Sequence, residues 1–194
     1  MVTDMIIREY EPGDPSLVCY YYYKLFEKQY EFNGSVEKYF MSGILELFDD
    51  REGSQMWVVE KDGQIAGSIA IVKRGEGEAQ LRWFGVDMAL QGQGLGNKLM
   101  RKAMDFCKEK GYKHVILWSM DILKPALHLY KKFGFVPTEI KPNNEWASYE
   151  IMEEKWEYNE IIREPSHGGI EDMMDRPHVV VIKKEESKTK TELL

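Results

Sequence analysis

Two cysteines in 194 residues, Cys19 and Cys107, are too few for a secreted disulfide scaffold. Four histidines with no Cys/His spacing around them give no metal motif. No apolar run approaches the roughly 20 residues of a membrane-spanning helix. Positive charge is in deficit: 26 Lys and Arg stand against 33 Asp and Glu, a net charge of −7. A nucleic-acid-binding surface, which draws its affinity from neutralising phosphates, is therefore not expected. There is no Gly-Lys-Ser/Thr triplet, which excludes a P-loop nucleotide site. Residues 1–14 lack the basic-then-apolar layout of a secretory leader, so the expected location is the cytoplasm and no membrane partner is expected.

What is present is a globular mixture, 43% hydrophobic and 30% charged, at a length that suits one domain with some additions. Strand-like and helix-like patterns alternate. Residues 5–10 read as a strand, 16–30 and 36–48 as helices, and 56–60 with 65–73 as a hairpin turning on Asp62-Gly63. A longer strand is expected over 79–88, a helix over 94–110 stopped by Gly111, a strand over 114–119 and a helix over 124–133. Strands over 135–140 and 147–156 complete the series. Residues 1–156 thus form the expected domain. Residues 157–194 read as a polar, charged tail in which only 179–182 has the composition of a strand.

The informative stretch joins the strand at 79–88 to the helix at 94–110. It reads Gln91-Gly92-Gln93-Gly94-Leu95-Gly96. A helix start leaves backbone N–H groups unpaired and carries partial positive charge, so it receives phosphate oxygens. Alternate glycines clear side chains from that approach and permit positive φ. The spacing is not the G-x-G-x-x-G of a dinucleotide fold, since Asn97 stands where the last glycine would fall.

The pattern Gln91-x-x-Gly94-x-Gly96 resembles the acyl-CoA pyrophosphate loop of the GNAT N-acetyltransferases. About thirty residues on, Ala126-Leu127-His128-Leu129-Tyr130-Lys131-Lys132-Phe133-Gly134-Phe135 resembles the A-x-x-L-Y-x-x-x-G-F signature of the same family. Both motifs occur in the family's order with a strand between them. The resemblance implies an α+β fold, a mixed central sheet of about six to seven strands flanked by about four helices. It implies acetyl-CoA as co-substrate and a small-molecule or peptide amine as acceptor. The implied coenzyme contacts are Phe84, Val86 and Met88, through the strand backbone, and Gln91, Gly92, Gln93, Gly94, Leu95 and Gly96, through the loop. Tyr130 falls where the family's tyrosine protonates the departing thiolate. Homodimers are common in the family, and nothing in the sequence marks a surface for one.

An alkylammonium must lose a proton before it attacks, at a cost of about 4–5 kcal/mol near neutral pH. Family members often carry a carboxylate on the strand for this step, and the matching position here is Gln80, which cannot accept the proton. Strand alternation puts Glu78, Gln80, Arg82, Phe84 and Val86 on one face, making Glu78 the candidate base, with Asp121 a weaker one. A second function uses the same loop without chemistry: an acyl-CoA-binding sensor. A requirement for Tyr130 separates the two.

Overall fold

The computed structural model describes residues 5–160 and the pair 180–181. Eight strands form one mixed sheet in the order β1-β2-β3-β4-β5-β7-β6-β8. Strands β1 (Met5–Glu9), β2 (Gln55–Lys61), β3 (Gln64–Gly75) and β4 (Glu78–Val86) make an antiparallel run. The β2–β3 hairpin turns on Asp62 and Gly63, both at positive φ, as the Asp-Gly pair predicts. Beyond β4 come β5 (His114–Met120), parallel to it, then β7 (Ile151–Asn159) and β6 (Val136–Asn143), antiparallel. The two-residue β8 (Val180–Val181) adds a parallel step on β6.

Helices α1 (Asp14–Tyr30) and α2 (Ser35–Leu45) cover one face of the sheet, and α3 (Leu95–Glu109) and α4 (Lys124–Lys132) the other. Burial follows the helical period: Val18, Tyr22 and Phe26 on α1, and Leu95, Leu99 and Ala103 on α3, turn inward. Helix α3 stops at Gly111, φ 73°. Each face has its own apolar core, one built around Ile69, Leu99 and Leu117, the other around Val18, Met56 and Trp83. Arg8 ties β1 to the start of α1 through the carboxylate of Asp14, which also accepts from the Glu11 amide. Among the described residues, no helix is long and apolar enough to cross a membrane.

Three expectations shift. The last long strand begins at Ile151 rather than 147, because the preceding loop is held elsewhere: the Glu145 carbonyl accepts from Asn33 Nδ2 and Ser35 Oγ, and the Trp146 carbonyl from the Asn33 amide. That strand then runs to Asn159, so residues 157–159, assigned to the tail, belong to the sheet, and Val180–Val181 extend it at the edge. Residues 161–179 and 182–194 of the tail lie outside the described residues.

The third shift concerns β4. Its register against β3 passes from Ser68↔Gly85 to Ala70↔Arg82, so Trp83 and Phe84 together oppose Ile69. This is a β-bulge, with Trp83 at φ 54°. Alternation is broken there. Gln80 and Arg82 face the α2 side, where Arg74 and Glu46 hold them, whereas Phe84 and Val86 pack into the α3–α4 core. The five residues expected on one face are divided between two.

Candidate active site

The site begins where two parallel strands part. Strands β4 and β5 pair only over Glu78↔His114, Ala79↔Val115 and Gln80↔Ile116. Past that point Leu81–Val86 and Leu117–Met120 diverge, leaving the β4 backbone edge without a ladder partner on that side. The bulge is pinned by two hydroxyls: the Trp83 carbonyl accepts from Tyr22 Oη at 2.9 Å and from Ser68 Oγ at 2.7 Å, with Tyr22 and Ser68 both buried. Gly85 must be small, since a Cβ there would stand 2.9 Å from Tyr22 Oη.

From Val86 the chain enters a short 3-10 turn (Met88–Leu90), capped by the Asp87 carboxylate on the Ala89 amide at 2.8 Å. The glycine loop follows. Gly92 and Gly94 both have φ 78°, and a Cβ on either would meet nothing within 4 Å. They are glycines for conformation and for the open space in front of them, and Gly94 caps the N-terminus of α3. Gly96 has a different reason: a Cβ there would lie 2.8 Å from Leu129 Cδ1, so it lets α3 approach α4. A groove of about 460 Å³ runs along this loop, walled by Phe84, Val86, Gln91, Gly94, Leu129 and Tyr30 among others. Gly92, Leu95 and Gly96 line it as well, whereas Met88 and Gln93 project to solvent and are not among its walls.

Tyr130, on α4, is 4% exposed and sits in an aromatic cage, with ring centroids 5.7 Å from Phe84, 6.2 Å from Phe135 and 6.3 Å from Trp156. Burial pushes its pKa well above that of an ordinary tyrosine. Ser119 Oγ faces it closely enough to draw the value partly back, without a hydrogen bond of regular geometry. A second cavity, of about 100 Å³, opens beside Tyr130 on the α1–α2 side of the sheet. It meets the groove at Tyr22, Phe26, Phe84 and Leu123, which line both. Thus the loop, the free strand edge and Tyr130 converge on one junction.

Glu78 does not join them. It starts β4, six residues and about 20 Å from Phe84, at the closed end of the gap. Its side chain is 58% exposed and lies 3.5 Å from His114 Nδ1, while His114 Nε2 bonds Glu157 at 2.8 Å. Asp121 is a backbone cap, accepting from the Met152 amide at 3.1 Å. Gln80 is committed to Arg74, whose Nε donates to its Oε1 at 2.8 Å. The carboxylate that does line the small cavity is Glu153, on β7. Sequence reading missed it, together with Trp118 and Ser119, because the three are brought together only by the β5–β7 pairing. Of the four consecutive tyrosines, Tyr22 alone lines both cavities, and Tyr20 is 65% exposed. Burial pushes the Cys107 thiol up to about 12, which fits a packed residue and no nucleophile. Among the described residues, no group of His, Cys, Asp or Glu is placed to hold a metal ion.

A glycine loop at a helix start lies beside strands that part over a buried tyrosine, and comparison with known proteins places that arrangement in a family. The model of the Acetyltransferase (GNAT) family matches residues 19–135, and the chain belongs to that family. It is similar to a protein of Bacillus subtilis strain 168 named as a putative [ribosomal protein bS18]-alanine N-acetyltransferase, 40% identical over 88 residues that cover 44% of this chain and 56% of that one. It is also similar to human N-acetyltransferase 8B, 30% identical over 112 residues, or 55% of this chain and 49% of that one. The chain spans about half the length of the curated relatives it matches. Among solved structures, a GNAT-family acetyltransferase from Staphylococcus aureus Mu50 superposes with a TM-score of 0.64 at 17% identity, covering 81% of this chain and 99% of that one. That likeness establishes the fold: a mixed α+β sheet with four flanking helices.

Proposed function

We propose that the protein transfers an acetyl group from acetyl-CoA to a primary amine by direct attack. The observation that carries this reading is the junction itself, where the glycine loop, the unpaired edge of β4 and Tyr130 meet between two connected cavities. The coenzyme fits the groove. Open space in front of Gly92 and Gly94 leaves the first-turn amides of α3 free for its phosphates, and the β4 edge from Phe84 to Val86 offers backbone groups to its amide-bearing arm. Bound there, it supplies the thioester whose carbonyl carbon bonds the amine nitrogen as the C–S bond breaks.

Two proton demands fall to the protein and solvent. The ammonium form of the acceptor gives up its proton before attack, and Glu78 is too distant to take it. The departing sulfur gathers negative charge, and Tyr130 is the donor beside it. Because burial holds Tyr130 protonated, it remains a donor at any working pH. The same shift makes complete transfer to a thiolate less favourable than from an ordinary tyrosine. Its contribution is therefore greatest as a hydrogen bond that strengthens while charge develops.

The test is calorimetric titration with acetyl-CoA, and NADH as comparison, followed by an assay of thiol release with an amine panel. Binding of acetyl-CoA alone and amine-dependent thiol release are expected. Tyr130→Phe should lower kcat by about 10²-fold or more with acetyl-CoA affinity nearly unchanged. Unchanged kcat would remove Tyr130 from the chemistry, and acetyl-CoA binding without turnover of any amine would favour the sensor function.

A further inference from the structure

The small cavity beside Tyr130 has a composition that selects among amines. Ten of its seventeen lining residues are aromatic, including Tyr39, Trp83, Trp118 and Trp146. It contains one carboxylate, Glu153, and one other charged side chain, Arg82, which is already paired with Glu46. Glu153 is held in place: it pairs with Met120 across the β5–β7 ladder, its Oε1 accepts from Asn143 Nδ2 at 2.8 Å, and its side chain is 14% exposed.

One alkylammonium already touches two of these wall residues, although Lys141 is not itself a lining residue. Lys141 Nζ lies 4.2 Å from the centroid of the Trp118 ring and 3.9 Å from Glu153 Oε2. An aromatic face and a carboxylate together stabilise an ammonium through the ring quadrupole and through Coulomb attraction. The lysine holds this place loosely, since its side chain is 38% exposed and its contact with Glu153 is longer than a hydrogen bond. An acceptor ammonium held by the same two groups would compete with it.

Resting on the acetyltransferase reading, we propose that the acceptor is a monoamine with an apolar, ring-sized body, its ammonium first recognised between Trp118 and Glu153 in place of Lys141 and giving its proton to solvent before the nitrogen attacks. The volume of about 100 Å³, below the roughly 150 Å³ of apolar cavities that accept benzene, sets a single ring as the upper limit. A polyamine fits poorly. Its further charges would meet Arg82 or the aromatic wall, with no second carboxylate in the cavity to receive them. The protein's net charge of −7 is thus not expressed at this site.

The experiment compares 2-phenylethylamine, spermidine and an alanine-initiated peptide as acceptors for the wild type, Glu153→Gln and Lys141→Met. Acetyl-CoA affinity is measured for each protein first, and should be equal, since neither residue lines the coenzyme groove. The wild type should acetylate 2-phenylethylamine with kcat/KM at least about tenfold above the other two. Glu153→Gln should raise KM for that amine by about tenfold or more, and Lys141→Met should lower it by a few-fold through removal of the competing ammonium. Opposite signs are the signature, because general damage to the wall would raise KM in both. Preference for spermidine or the peptide, no acetylation of 2-phenylethylamine, or KM shifts of the same sign would overturn the proposal while leaving the transferase reading standing. Failure of the wild type to bind acetyl-CoA would instead bring down the transferase reading itself.

Discussion

The carbonyl of Trp83 receives two hydrogen bonds, and this redundancy has a measurable signature. Tyr22→Phe removes the 2.9 Å donor and leaves Ser68 Oγ in place, and Ser68→Ala does the converse. Each single change should cost about 1 kcal/mol, the net worth of one intramolecular bond whose acceptor keeps another partner. The double variant leaves a carbonyl bare between two buried side chains, and an unsatisfied buried group adds about 1–3 kcal/mol. The expected losses are therefore about 1, 1 and 4 kcal/mol, with a coupling near 2 kcal/mol. Urea denaturation of the four proteins under one buffer condition measures all three. Because Trp83 sits at φ 54°, a conformation that costs a non-glycine residue about 1–2 kcal/mol, losing both anchors should also loosen the bulge. Phe84 would then leave its place against Tyr130, so acetyl-CoA affinity should drop in the double variant and hold in the singles. Additivity within about 0.5 kcal/mol would refute the reasoning, since it would show the carbonyl does not depend on either hydroxyl as an alternative to the other.

Gly94→Glu should abolish acetyl-CoA binding in calorimetry by placing a charged side chain in the open space before α3, with a stability loss of only about 1–2 kcal/mol from its positive φ. Retained affinity would remove the loop from the site. Burial raises the pKa of Tyr21, Tyr22 and Tyr130 above the ordinary value of about 10. Below pH 10 the folded and unfolded chains are equally protonated at these groups. Above it the unfolded chain loses protons first, so stability should fall as pH rises through the folded values, read from urea midpoints alongside tyrosinate absorbance. A single tyrosinate step near pH 10 with constant stability would contradict this. The Asp14 carboxyl is opposed by burial, yet the Arg8 guanidinium and the Glu11 amide hold it below its usual value, so its contribution is present above about pH 3.8 and lost as pH falls below. Arg8→Met should cost about 1.5–3 kcal/mol at neutral pH and progressively less in acid, measured by thermal unfolding across that range.

The parts of the site legible in the sequence are those whose reason is local. Three alternate glycines at a strand-to-helix junction announce their own conformation, and Gly92 and Gly94 adopt it. Tyr130 is singled out by the resemblance of its motif, and α4 places it beside Phe84 in the wall of the small cavity. What escaped depends on partners distant in the chain. Period-two alternation carries no mark of a bulge, so the division of Gln80 and Arg82 from Phe84 and Val86 was invisible until β3 supplied the register. Glu153 is one of several acidic residues in Met152-Glu153-Glu154-Lys155-Trp156-Glu157, and only pairing with Met120 and Lys141 turns it to the cavity. Strand β6 runs three residues past the expected 140, through Pro142, which lies near the sheet edge, where a missing N–H is tolerated.

The parting of β4 and β5 has a mechanical consequence. Three residue pairs, from Glu78↔His114 to Gln80↔Ile116, are the whole ladder between the two halves of the sheet. Beyond them the halves can spread or close like jaws without breaking a ladder hydrogen bond, while at the pivot His114 bridges Glu78 and Glu157 and clasps the halves together. Under the proposed function, a bulky coenzyme would be admitted and released by bending at one end of a sheet that otherwise stays intact, with the stiffness of that opening set some 20 Å away from Phe84.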